Sequence, residues 1–326
     1  MMLVEVSDFV GFTHSFCFAD MESDLEAIVR FLVSKRWPFR LHATYGESIE
    51  RELAVFEKIE KDTPGSFKNL RWFIDHAETV SERDIVRIHA LGGGIAIQHR
   101  MAFQGEYFVQ RYGSAEAEFA PPIAAMRKAG VHIGAGTDGT RVATYNPWVS
   151  LQWLVTGQTV GGLQMYGKDN LTDRLEALRL WTDHNAWFCN AESKQGSLTP
   201  GKFADLAVLS HDYFSVAPDA IGAIESVLTI VGGQVVYTDG PFRGKVPEAS
   251  LQVALNPSWS PVNFFGGYQL PHSSAWPLTK HEVTDTGAKV FSAVASGAAT
   301  APPAGSGADD KGGPSPVDFF MHGSDC

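Results

Sequence analysis

Three residues in this chain are of types and spacing that could do chemistry together: His42, His76 and Asp138. Each closes a short hydrophobic segment and precedes a turn, in RLHATYGE, RWFIDHAE and HIGAGTDG. Imidazole and carboxylate side chains suit Zn²⁺ and similar first-row divalent ions. A bound ion lowers the pKa of its water toward about 7, so hydroxide becomes available at neutral pH. A carboxylate beside that water can take its proton and later pass it to a leaving amine, a double role that Asp138 fits. One strand-end histidine alone is ordinarily a hydrogen-bonded structural residue. Three ligand types at the ends of similar segments raise the expectation of a metal site well above that.

Such residues meet only if the surrounding elements aim them at one point. Residues 23–34 carry a helical stripe of Leu25, Ile28, Val29 and Leu32, with Ser23 as the expected N-cap. Residues 37–44 read as a strand, and Ile49, Leu53 and Phe56 mark the helix after it. A second strand covers 70–77; Ser81 and Asp84 then form a capping box opening a helix with Ile85, Ile88 and Leu91. A third strand covers 93–99, a helix spans 118–129 with Pro121 and Pro122 in its first turn, and a fourth strand covers 131–138. Strands alternating with helices specify βαβ units and a parallel sheet, hence an α/β fold. Four units are visible where a closed barrel needs eight, so the expectation is a partial TIM-type (β/α) barrel. In that fold the strand ends that carry His42, His76 and Asp138 converge on one mouth.

The opening segment MMLVEVSDFVGF has no basic n-region and no small-residue cleavage site, so it is not read as a signal peptide. It is not expected to start a barrel, because the first helix follows almost at once, which we read as a sign of truncation. Beyond Asp138 the pattern predicts helices from about Pro147 and over about 172–189, the latter with Leu175, Leu178 and Trp181. A strand over 205–209 and a hairpin in VLTIVGGQVVY around Gly232–Gly233 suggest a small β appendage. Residues 285–316 turn to Ala, Gly, Ser and Pro and read as a flexible tail. The expected division is a half-barrel over 1–195, β-sandwich strands over 196–245, and an extension over 246–326.

Bulk properties narrow the class. A net charge of −11 with no basic stripe argues against a nucleic-acid partner. Cys17, Cys189 and Cys326 are far apart, which argues against a disulfide framework or a cysteine zinc site. No apolar run reaches the ~20 residues of a membrane helix, so no membrane partner is expected and the cytoplasm is the default location.

The ordered series HATYGES, FIDHAETVSERDI, IAIQH, GAGTDG, LTPGKFADLAVLS and TIVGGQVVY resembles the metal-dependent amidohydrolase superfamily, in its amidohydrolase family 3 branch. The resemblance runs from about residue 24 to 240 and covers only the family's C-terminal half. It implies that His42 and His76 close strands five and six and bind metal. It implies that Asp138 closes strand eight as ligand and general base, and that PGKFADLAVL returns the chain to a β-sandwich. The family's H-x-H pair on strand one has no counterpart among the eleven histidines. Its strand-four lysine has none either, since Lys35, the only lysine before His42, sits at a helix end. Half a ligand set should bind metal poorly, and half a barrel should expose sheet edges.

Secondary candidates are weaker. His99 follows Gln98 at the third strand's end and could touch substrate, with a plain hydrogen-bonding role about equally expected. Arg141 and Asn146 lie in the loop after Asp138, where substrate contacts compete with ordinary solvated positions. Tyr45, Gly46 and Glu47 would shape the entrance, although Gly46 could simply permit the turn. Asp75 should point away from His76 and act as a structural partner. His89, His132 and His184 read as structural. Gly134, Gly136 and Gly139 match G-x-G-x-x-G, but no helix starts on them and no acidic residue follows at the required distance, so no dinucleotide is expected. No G-x-S-x-G nucleophile elbow occurs. The leading expectation is a hydrolase of non-peptide C–N bonds in amide-type small molecules, using a divalent metal such as Zn²⁺. The alternative is a non-catalytic remnant or one part of a split enzyme, completed by a complementary N-terminal half or by another copy.

Overall fold

The computed structural model describes residues 4–7, 21–139 and 142–245, so Arg141 and the 246–326 extension lie outside the described residues. Five strands form one parallel sheet in chain order: β1 (Val4–Ser7), β2 (Phe39–Ala43), β3 (Trp72–His76), β4 (Gly94–Gln98) and β5 (His132–Gly136). Between them run α1 (Met21–Lys35), α2 (Gly46–Asp62), α3 (Glu82–Ala90), α4 (Met101–Tyr112), α5 (Ser114–Ala117) and α6 (Ile123–Ala129). β1 corrects the expectation of no strand at the N-terminus. VEVS pairs with β2 from Val4↔Phe39 to Ser7↔His42. Four residues of alternating pattern without flanking turn signals are too short for periodicity to separate from a loop.

The two faces of the sheet differ because its strands alternate. Phe39, Leu41, Trp72, Ile74, Ile95, Ile97, Ile133 and Ala135 share the face covered by helices and belong to the main core. Phe39, Phe56, Phe67 and Trp72 form an aromatic cluster there, with Phe56 edge-on to Trp72 at 5.0 Å between centroids. The opposite face carries Arg40, His42, Phe73, Asp75, Gly94, Ala96, Gln98, His132, Gly134 and Gly136.

Several local expectations need revision. α1 begins at Met21, which puts Ser23 inside its first turn instead of at the cap. Ser81 does cap α3, accepting from the Asp84 backbone N–H at 3.1 Å. α4 was not anticipated, although Met101, Ala102, Gly105 and Phe108 are buried at helical spacing. The 118–129 helix is shorter than predicted, because Pro121 and Pro122 precede α6 and do not lie inside it. After β5 come α7 (Pro147–Thr156), α8 (Arg174–Trp181) and α9 (Asp183–Phe188), the last two separated at Thr182 by a non-helical turn. β6 (Leu206–Leu209), β7 (Ser226–Val231) and β8 (Gln234–Thr238) make a separate antiparallel sheet. Gly232 and Gly233, both at positive φ, provide the two-residue turn between β7 and β8.

The free edge of β5 is not bare, contrary to the expectation for half a barrel. α9 lies against it: Asn185 Nδ2 donates to the Ala135 carbonyl at 2.7 Å, and His184 Nδ1 meets the Ile133 carbonyl at 3.2 Å. Trp187 and Phe188 sit where a Cβ on Gly94 would collide, and Asn185 and Phe188 where one on Gly134 would. Of the glycines in the G-x-G-x-x-G match, Gly134 is thus required by the packing of α9. His132 stacks on Trp187 at 4.3 Å, so the structural reading of His132 and His184 holds. No helix among the described residues is long and apolar enough to cross a membrane.

Candidate active site

His42 is the penultimate residue of β2, and His76 is the last residue of β3. The register pairs His42 with Asp75 and Ala43 with His76. Strict alternation would therefore put the two imidazoles on opposite faces. The backbone of His76 and Ala77 turns into the left-handed region, with φ of 79° and 53°. This breaks the alternation and brings the two rings to 4.3 Å between centroids at 72°. Consecutive non-glycine residues at positive φ are held only where the surroundings over-determine them, and such positions concentrate at functional sites. Asp75 stays on the His42 face, 3.5 Å from Arg40, as an ion-pair partner and not a ligand.

His76 is almost wholly buried, and its pKa is pushed down to about 3, first by loss of hydration and then by the charges of His42 and Arg100. A neutral imidazole is the form a metal requires. Its Nδ1 has no hydrogen-bond partner. The two histidines thus fit two positions of a divalent metal's ligand set. Among the described residues, no group of three or more His, Cys, Asp or Glu side chains stands close enough to hold an ion. Asp138 lies past the end of β5, exposed and also at positive φ (50°), and is not gathered into the pair.

β4 supplies a second cluster at the same end of the sheet. His99 is 0% exposed, and burial pushes its pKa down to about 4, with the Gly136 carbonyl only partly offsetting this. Phe103 packs edge-on against the His99 ring at 5.6 Å. Arg100 Nη1 and Thr44 Oγ1 are buried without a hydrogen-bond partner. Sequence reasoning passed over Arg100, Thr44 and Glu78, the last wholly buried two residues beyond His76. The one available signal for Arg100 was its position directly after a strand-end histidine.

The loops around these ends are built tightly. Gly46 follows the β2 end, and a Cβ there would lie 2.8 Å from the Thr79 carbonyl, so it allows two strand-end loops to touch. Tyr45 is the N-cap position of α2. Asn146 caps α7, accepting from Trp148 N–H at 2.9 Å, and is buried, not solvated as a loop residue would ordinarily be. A cavity of about 640 Å³ beside Arg36, Trp37 and Arg71 opens at the opposite end of the strands from the histidines.

The family model described as "Amidohydrolase family" matches residues 5–237. The chain belongs to the amidohydrolase family. Among the relatives of this amidohydrolase is a 5-methylthioadenosine/S-adenosylhomocysteine deaminase of Symbiobacterium thermophilum, 32% identical over 36% of this chain and 29% of that protein. An N-substituted formamide deformylase of Arthrobacter pascens is 29% identical over 36% of this chain and 21% of its own. The crystal structure of a metal-dependent hydrolase from Pyrococcus horikoshii OT3 superposes with a TM-score of 0.52 at 22% identity. It covers 61% of this chain and 39% of its own, which places the fold among TIM-barrel-like amidohydrolases. The chain spans less than half the length of each of these proteins.

Proposed function

We propose that the protein works as a metal-dependent hydrolase of C–N bonds other than peptide bonds, such as amides or N-acyl groups in small molecules. The observation that carries this reading is a set of buried polar atoms without hydrogen-bond partners at one end of the sheet: Thr44 Oγ1, His76 Nδ1 and Arg100 Nη1. Unsatisfied buried polar groups are rare in native proteins and point to a missing ligand. Family membership, and relatives named as a deaminase and a deformylase, favour C–N chemistry.

In this reading His42 and His76 hold a divalent ion, Zn²⁺ by ligand type. When bound, the ion supplies a water acidic enough to ionise near neutral pH. Asp138, exposed beyond the end of β5, would take a proton from the attacking water and return it to the leaving amine. His99 orients the substrate, and Arg141 stays a candidate contact. We also read β2 to β5 as barrel strands five to eight, with 1–195 the barrel part and 196–245 the sandwich part.

The test is Asp138→Asn in an active preparation. Turnover should fall by about 100-fold or more, the usual worth of general acid–base catalysis. Turnover within a few-fold of the parent would exclude the assigned role. A second reading, in which a complementary polypeptide completes the site, is favoured by the five parallel strands and the two gathered ligands found among the described residues, against the eight strands of a closed barrel and the three protein ligands of a catalytic zinc site.

A further inference from the structure

We infer that Arg100 forms an anion-binding subsite beside the histidine pair and selects amide substrates that carry a carboxylate or phosphoryl group. The inference rests on the proposed hydrolase reading for the word substrate, but its binding test does not depend on turnover.

Arg100 stands at the C-terminal end of β4, as the residue before α4. It is 6% exposed, and no salt bridge joins it to an acidic side chain among the described residues. Nε donates to Gln104 Oε1 at 2.9 Å, while Nη1 is buried without a partner. The partly buried guanidinium of Arg87 on α3, by contrast, is locked between Glu57 and Asp84 at 2.7 and 2.7 Å. A buried charge is normally paired, because leaving it unpaired costs several kcal/mol. A guanidinium with a free donor, set at the mouth of a parallel sheet, satisfies that requirement when a ligand brings the counter-charge.

Its position fits the same purpose. Arg100 and His76 stand at the C-terminal ends of the neighbouring strands β4 and β3, the end at which the two histidine rings pair. Arginine suits this role because its planar fork matches the two oxygens of a carboxylate or phosphoryl group.

The experiment is calorimetric titration of the full chain with N-acetylglycine, its neutral carboxamide N-acetylglycinamide, and the phosphonate analogue. The expected result is at least a tenfold preference for an anionic ligand over the neutral one, as a desolvated charge-assisted hydrogen bond gives. The stronger of the two anions identifies the group. Arg100→Gln should bring anionic and neutral ligands within about twofold of each other, and Arg100→Lys should restore part of the preference. Thermal unfolding of the unaltered chain gives a second readout that needs no variant: the anionic ligand should raise the midpoint more than the carboxamide does. Equal binding of the three ligands, absence of binding, or a preference that survives Arg100→Gln would each overturn the subsite. An Arg100-dependent preference without hydrolysis of any amide by the zinc-supplemented protein would instead leave the subsite standing and refute the hydrolase reading.

Discussion

The buried imidazoles make the molecule sensitive to acid in a definite direction. An unfolded histidine titrates near 6.5. In the fold, burial holds His76 at about 3 and His99 at about 4, and lowers His132 as well. Between these values and 6.5 the unfolded chain binds more protons than the native one, so stability rises with pH across that window. It is fully present above about 6.5 and is lost on acidification, with a slope of up to ~1.4 kcal/mol per pH unit for each such histidine. Denaturant midpoints of the metal-free protein at pH 7, 6 and 5 should fall in that order. His99→Asn should flatten the dependence, and an unchanged slope would mean that the native ring protonates in place.

Individual elements set how firmly the site is held. The aromatic cluster between α2 and the sheet anchors β2 and β3, whose ends carry both histidines. Phe56→Ala removes the side chain that touches Phe39, Phe67 and Trp72 and should cost about 3–5 kcal/mol, read from chemical denaturation. The β5 edge depends on α9. Asn185→Ala leaves the Ala135 carbonyl without its donor and should cost about 1–3 kcal/mol, with faster hydrogen exchange along β5 and no comparable change in β2. Gly46→Ala drives a methyl group against the Thr79 carbonyl, so it should separate the loops after β2 and β3. Its expected signature is weaker zinc binding with a smaller loss of global stability, measured by zinc titration beside a melting curve.

At the scale of the molecule, the described residues form five parallel strands with one free edge closed by a helix, and they gather two imidazoles without a third ligand. Two neutral donors bind zinc far more weakly than the three protein ligands of a catalytic site. Zinc supplied to the purified chain should therefore be removed by brief dialysis against a chelator, with metal per chain falling well below one. Tightly retained zinc near one per chain would show that the chain completes the site itself, for instance by bringing Asp138 or residues outside the described set to the pair. Sedimentation in the presence and absence of zinc separates that outcome from completion by a second copy.

Much of this protein is legible in its sequence by itself. Hydrophobic segments ending on His42, His76 and Asp138, spaced by amphipathic helices, specify a parallel α/β sheet, because local periodicity reports which face of each element is buried. The hairpin at Gly232–Gly233 and the cap at Ser81 are equally local and were equally readable. Other features arise only when distant segments meet. The pairing of the histidine rings depends on a break in alternation at His76, which no residue pattern encodes. The capping of β5 joins carbonyls of residues 133 and 135 to side chains some 50 positions later. The isolation of Arg100 is visible only from what fails to surround it. Sequence periodicity carries the sum of many similar local contacts; a site is set by a few long-range ones, and those exist only in the folded chain.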